Sequence, residues 1–164
     1  MSASEDGWAL VIDAFEDWIE YESSEFAPWT TYFSIKELRT LTHSERLGWM
    51  HTMRNEVIPG RIDSARQARI ALEDFMAQLS EEESIHTVQS MIDLSIRLEE
   101  SMLQMSDVFT HMIDDYDEEG LEVVQIHLEK LAEIEEDIRH HMSLYSEGFG
   151  KLREQGRHIP EEMR

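Results

Sequence analysis

The chain has 164 residues, enough for one domain with a sizeable core and too few to make two the expectation. Apolar residues make up 41% and charged residues 30%, a globular composition, yet 36 acids against 14 bases leave a net charge of -22. That charge repels DNA, RNA and anionic membranes and calls for a cationic partner or none. The absence of cysteine excludes disulfides, thiol catalysis and thiolate metal sites.

The opening residues, MSASEDGWALVIDAFEDW, carry no basic region ahead of their apolar positions, and no stretch approaches 18 uncharged apolar residues. The expectation is a cytoplasmic protein. Its charge is uneven: residues 1–34 carry -8, 35–70 carry +3, 71–100 carry -7, 114–137 carry -10 and 138–164 carry +1. A general adaptation to salt would spread acidity over the whole surface. Here acidic blocks alternate with a basic one.

Helical periodicity dominates and predicts an all-α fold, a helical bundle. A first helix is expected from about Glu5 to Glu25, with Trp8, Val11, Ile12, Phe15, Trp18 and Ile19 on one face and Asp6, Asp13, Asp17 and Glu20 on the other. It should stop near Ala27-Pro28. Two capping boxes follow, Ser34 with Glu37 and Thr42 with Glu45, each able to open a short helix, and Pro59-Gly60 should end the second of these. A helix from about Ile62 to Leu79 has a basic N-terminal half.

Ser80 with Glu83 forms a third capping box ahead of some 35 residues without Gly or Pro, roughly 50 Å of helix. The chain reverses at DYDEEG. From Leu121 two heptad registers run together: Leu121, Leu128, Glu135, Met142 and Phe149 in one, Val124, Leu131, Ile138, Tyr145 and Leu152 in the other. A long antiparallel hairpin, about 81–116 and 121–152, therefore forms the spine, with shorter N-terminal helices against it. The heptad spacing suits a homodimeric bundle equally well. The expected organisation is one helical-bundle domain over 1–152 and a loosely held tail over 153–164.

The segment DDYDEEGLE, residues 114–122, holds six carboxylates and no base. Asp115, Asp117, Glu119 and Gly120 occupy positions 1, 3, 5 and 6 of an EF-hand-like loop, but positions 9 and 12 are Val123 and Ile126, so the calcium shell cannot close. Glu83 with His86 has the Glu-x-x-His spacing of carboxylate-bridged metal centres, and Asp137 with His140 is an aspartate version of it. In a hairpin turning near residue 118, however, the two pairs lie about 15 Å apart along the axis. Glu135 and Glu99 fall near the apolar stripes. As a catalytic pair they compete with plainer roles, Glu135 at the solvent edge or paired with Arg139, and Glu99 beside the stripe. His140 and His141, adjacent on a helix, diverge by about 100° and do not make a two-ligand face. No phosphate loop, nucleophile elbow or H-E-x-x-H motif is present. No catalytic residue, metal site or cofactor is assigned.

The acidic faces remain. Asp115, Glu122, Glu129 and Glu136 recur every seven residues, flanked by Glu119 and Glu133, as a ridge about 30 Å long if helical throughout. Like charges at i and i+4, such as Glu129 with Glu133 and Asp13 with Asp17, are locally unfavourable, and Lys130 is the one basic residue in 114–137. Such a ridge either serves solubility or imitates the phosphate array of a nucleic acid so as to occupy a basic groove. The candidate partner-binding residues are Asp13, Asp17, Glu20, Asp114, Asp115, Asp117, Glu118, Glu119, Glu122, Glu129, Glu133, Glu136 and Asp137. Trp29 and Tyr32 of the aromatic connector EFAPWTTYF join them as anchors if exposed; packed inside, they would close one end of the bundle.

In composition the chain resembles the acidic helical DNA-mimic proteins of phages, including anti-restriction proteins and CRISPR inhibitors. No motif carries the resemblance and it transfers no residue; immunity proteins against nuclease toxins follow the same physical logic. The expected function is a non-catalytic binding protein that neutralises a basic protein that binds or cleaves nucleic acid. The alternative is a helical scaffold or adaptor subunit whose acidity serves solubility, and a metal-binding helical-bundle enzyme stands third.

Overall fold

A computed structural model of the chain describes residues 3–163, with the side chains of residues 3, 4, 118 and 119 outside the described set. It is all-α. Among the described residues seven α-helices follow in order: α1 Ala3–Tyr21, α2 Ile35–Leu38, α3 His43–Thr52, α4 Ile58–Met76, α5 Glu82–Glu119, α6 Leu121–Ser143 and α7 Tyr145–Glu154. Among the described residues there is no strand, and no helix is long and apolar enough to cross a membrane.

The hairpin is the spine. At 38 residues, α5 is about 57 Å long, and α6 and α7 run back along it. The register is set by cross-helix bonds: Asp115 with His127 at 2.6 Å, Ser101 Oγ donating to Asp137 at 3.3 Å, Ser95 with Tyr145 at 2.5 Å, and Ser84 with Gln155. The turn needs Gly120, whose φ of 78° and ψ of -163° lie in a region nearly closed to side chains. The returning strand of the hairpin is two helices rather than one. Around Leu144 the ladder shifts, where Ser143 and Ser146 turn their hydroxyls onto the carbonyls of His140 and Ser143.

α4 also packs on α5, and α1 packs on α4. Two aromatic clusters fill the ends of the core. At one end Phe15 meets Tyr145 and Phe149 edge-on at 5.1 and 5.0 Å, while Trp8 packs on Phe75 and Trp18 on Tyr145. At the other, Trp49 meets Phe109 at 5.3 Å and collects Tyr32 and Phe33. Such pairs add roughly 0.5–1.5 kcal/mol each beyond the area they bury.

The first helix does end ahead of Ala27-Pro28, through a wider turn, whereas Pro59, expected to end a helix, lies at the start of one. A π turn at Glu22–Phe26 precedes Pro28, and another at Met53–Val57 precedes Pro59, which sits in the first turn of α4 where its missing N–H costs nothing. Gly60 is therefore inside a helix. It is glycine for contact: a Cβ there would collide with the Tyr21 hydroxyl, which donates to the Val57 carbonyl at 2.7 Å. Burial of that phenol, and the nearby Glu25 and Glu22 carboxylates, push its pKa up.

Of the three expected capping boxes only Thr42 with Glu45 closes, in both directions, and the Thr42 backbone N–H holds the Glu45 carboxyl below its usual range. Ser34 makes no side-chain cap; the single turn of α2 is anchored by buried Leu38 instead. α5 starts one residue later than Ser80 would set it, with Glu81 as the N-cap, so Glu83 is displaced from the position that closes a box. The tail also departs from expectation. Ile159 and Met163 are buried, and Trp8 Nε1 donates to the His158 carbonyl at 2.9 Å, so apolar burial holds 157–163 to the bundle.

Candidate protein-binding surface

The acidic residues fall into three places. Asp114, Asp115 and Asp117 occupy the last turns of α5, while Glu118 and Glu119 carry side chains outside the described set. Carboxylates there face the negative end of the helix dipole, an unfavourable position. Among the described side chains of this group, Asp115 has an ion-pair partner, His127 Nε2 at 2.6 Å. Because α5 runs helical to Glu119, the EF-hand-like loop does not form.

Beyond Gly120 a second stripe begins. Glu122, Glu129, Glu133 and Glu136 are all exposed on α6 and, at 100° per residue, lie within about 40° of one line. The turn at Gly120 separates Asp115 from this line. The ridge expected to run 30 Å through both segments is therefore an α6 stripe of about 21 Å with an acidic knob beyond its N-terminus. No ion pair reaches Glu122, Glu129, Glu133 or Glu136 from the described residues. Asp137, beside the stripe, is exposed, accepts Ser101 Oγ and lies 3.4 Å from His141 Nδ1.

The third place is α1, where Asp13, Asp17 and Glu20 are exposed. Since α1 packs on α4 while α6 packs on α5, this stripe and the α6 stripe are carried by different helix pairs. Trp29 and Tyr32 are half-buried. Trp49 Nε1 donates to the Trp29 carbonyl at 3.0 Å and Tyr32 packs edge-on against Trp49, so the connector closes one end of the bundle.

Several arginines are paired away from these acidic stripes. Arg66 pairs with Glu99 at 2.6 Å, Arg69 with Glu73 at 2.9 Å, and Arg139 with Glu135 at 3.1 Å. Within the basic segment, Arg61, Arg66 and Arg69 thus pair with carboxylates of the same chain. Glu99 and Glu135, weighed as a catalytic pair, each hold separate arginines.

The largest departure from sequence reasoning is at the waist between the two aromatic clusters. Arg61, with no exposed surface, donates through Nε and Nη2 to Glu22 at 2.8 and 2.7 Å, and through Nη1 and Nη2 to Glu135 at 2.7 and 3.1 Å. Its guanidinium carbon lies 3.8 Å from the centre of the Phe26 ring. Burial alone would lower its pKa, but the two carboxylates reverse the sign and raise it. Glu135 is only 8% exposed, not at a solvent edge. A Glu in a heptad core position was the available signal; Arg61 gave none, because nothing local distinguishes it from the arginines around it.

One heptad register is consumed within the chain, with Val124, Leu131, Ile138, Tyr145 and Leu152 all buried, while Leu121 and Met142 of the other are half-buried. Glu83, His86 and His140 are exposed, and among the described residues no three His, Asp or Glu side chains converge on one point. No protein-family model matches the chain, and neither the curated proteins nor the solved structures give a match.

Proposed function

We propose that this is a non-catalytic acidic binding protein that occupies the basic groove of a protein that binds or cleaves nucleic acid, using the α6 stripe and the acidic knob beside it. The observation that carries the proposal is the separation of charge. Glu122, Glu129, Glu133 and Glu136 face outward and make no ion pair with the described residues, while Arg61, Arg66, Arg69 and Arg139 are engaged by other carboxylates. Four charges over about 21 Å are sparser than a nucleic-acid strand, which carries one per 3.4 Å of rise. The knob adds density at one end. Cytoplasmic action and a basic partner belong to this reading.

The test is affinity capture from the native host at low and high salt, with wild-type protein and with Glu122→Gln, Glu129→Gln, Glu133→Gln and Glu136→Gln combined. A nucleic-acid-binding partner should be retained at low salt, released at high salt and lost with the quadruple variant. Retention of the same partner by that variant supports the scaffold reading instead.

A further inference from the structure

A groove of about 660 Å³ runs along the outer seam between α1 and α4. The helices are antiparallel there, since Gly7 lies against Gln78 at one end and Tyr21 against Gly60 at the other. From Gly7 to Asp17 the groove extends on the order of 15 Å, about three helical turns. Its floor is apolar. Leu10 and Ile70 are 60% and 41% exposed, and Ala14 and Ala71 between them keep the seam open. Asp13, Asp17 and Asp74 stand along it, and its lining includes no Lys, Arg or His. The arginines of α4 are engaged elsewhere: Arg66 and Arg69 reach Glu99 on α5.

We infer that this groove receives a cationic amphipathic helix of a partner protein, about three turns long. Its apolar side would cover Leu10, Ala14, Ile70 and Ala71, and its Lys or Arg side chains would reach Asp13, Asp17 and Asp74. The apolar floor selects against a bare polycation, which gains nothing from burying Leu10 and Ile70. The carboxylates select against nucleic acid and anionic membrane. A second copy of this chain would bring another -22 of charge to the same seam. A helix with one apolar and one basic face satisfies both halves of the lining. The inference does not rest on the α6 stripe, which is carried by other helices.

The probe is a synthetic peptide of about four turns with leucines on one helical face and lysines elsewhere. Its control has the same composition with the leucines scattered around the helix. In methyl NMR at physiological salt, the first peptide should shift Leu10, Ala14, Ile70 and Ala71 and leave Val123 and Ile126 on α6 unmoved. Leu10→Gln with Ile70→Gln should weaken its binding by roughly tenfold or more. Asp13→Asn, Asp17→Asn and Asp74→Asn together should weaken it and flatten its salt dependence. The quadruple α6 variant should bind the peptide within about twofold of wild type, so that failure of one proposal leaves the other testable. Equal binding of the two peptides, shifts confined to α6, or no shift in the groove would overturn the inference, and the wild-type NMR map needs no variant to fold.

Discussion

Replacing Arg61 with Met tests the waist of the bundle directly. The thioether fills much of the same volume but removes four charge-assisted hydrogen bonds and leaves the Glu22 and Glu135 carboxylates facing each other across it. Glu135 keeps only Arg139, whose side chain is 65% exposed, and Glu22 has no other ion-pair partner among the described residues. Breaking a buried pair by removing one member typically costs about 3–5 kcal/mol, because the partner's charge stays behind without compensation. Against a total stability of about 5–15 kcal/mol this is a large share, and at this chain length it should lower Tm by about 6–20 °C. Urea unfolding followed by far-ultraviolet circular dichroism gives the free energy. Adding Glu22→Gln and Glu135→Gln to Arg61→Met should recover most of the loss, since what destabilises is the stranded charge rather than the missing arginine. A loss below about 1 kcal/mol for Arg61→Met, or a triple variant no more stable than the single, would refute the buried-charge account.

Gly120→Ala meets no neighbour, so its whole effect is backbone strain: stability should fall by about 1–3 kcal/mol in urea titration, with helix content retained. The quadruple Gln variant of α6 removes like-charge repulsion, including the Glu129–Glu133 pair, and should leave stability unchanged or raise it by a few tenths of a kcal/mol. Wild-type Tm should itself rise with added salt as the net charge of -22 is screened. Burial raises the Tyr145 phenol above its ordinary value near 10. Above about pH 10 the unfolded chain therefore releases that proton while the folded chain keeps it, and stability falls with pH by up to about 1.4 kcal/mol per unit for this group. Tyr145→Phe should make the alkaline decline shallower, at a cost near 1 kcal/mol at neutral pH for the lost bond to Ser95; an unchanged alkaline slope would contradict the assignment.

Local chemistry made much of this molecule legible. Apolar spacing at 3.6 residues identified the α1 face and the α5–α6 core stripes, and the reversal at Gly120 followed from a glycine among carboxylates between two helical patterns. The Thr42–Glu45 box was readable because it is closed by neighbours in sequence. Pro59 and Gly60 misled because their roles depend on a π turn before them and on Tyr21, some forty residues away. The single seven-residue ridge through 115–136 also failed, since one backbone turn rotates everything beyond it.

By itself, the sequence determined the helical class, the hairpin and the excess of negative charge, because periodicity, turn chemistry and net charge are properties of short segments or of simple sums. Only the tertiary structure decided which charges cancel. Ion pairing depends on distances of a few ångströms between residues such as Glu22, Arg61 and Glu135, which lie 39 and 74 positions apart. The same packing left the α6 carboxylates outward and brought Leu10 and Ile70 together across the α1–α4 seam.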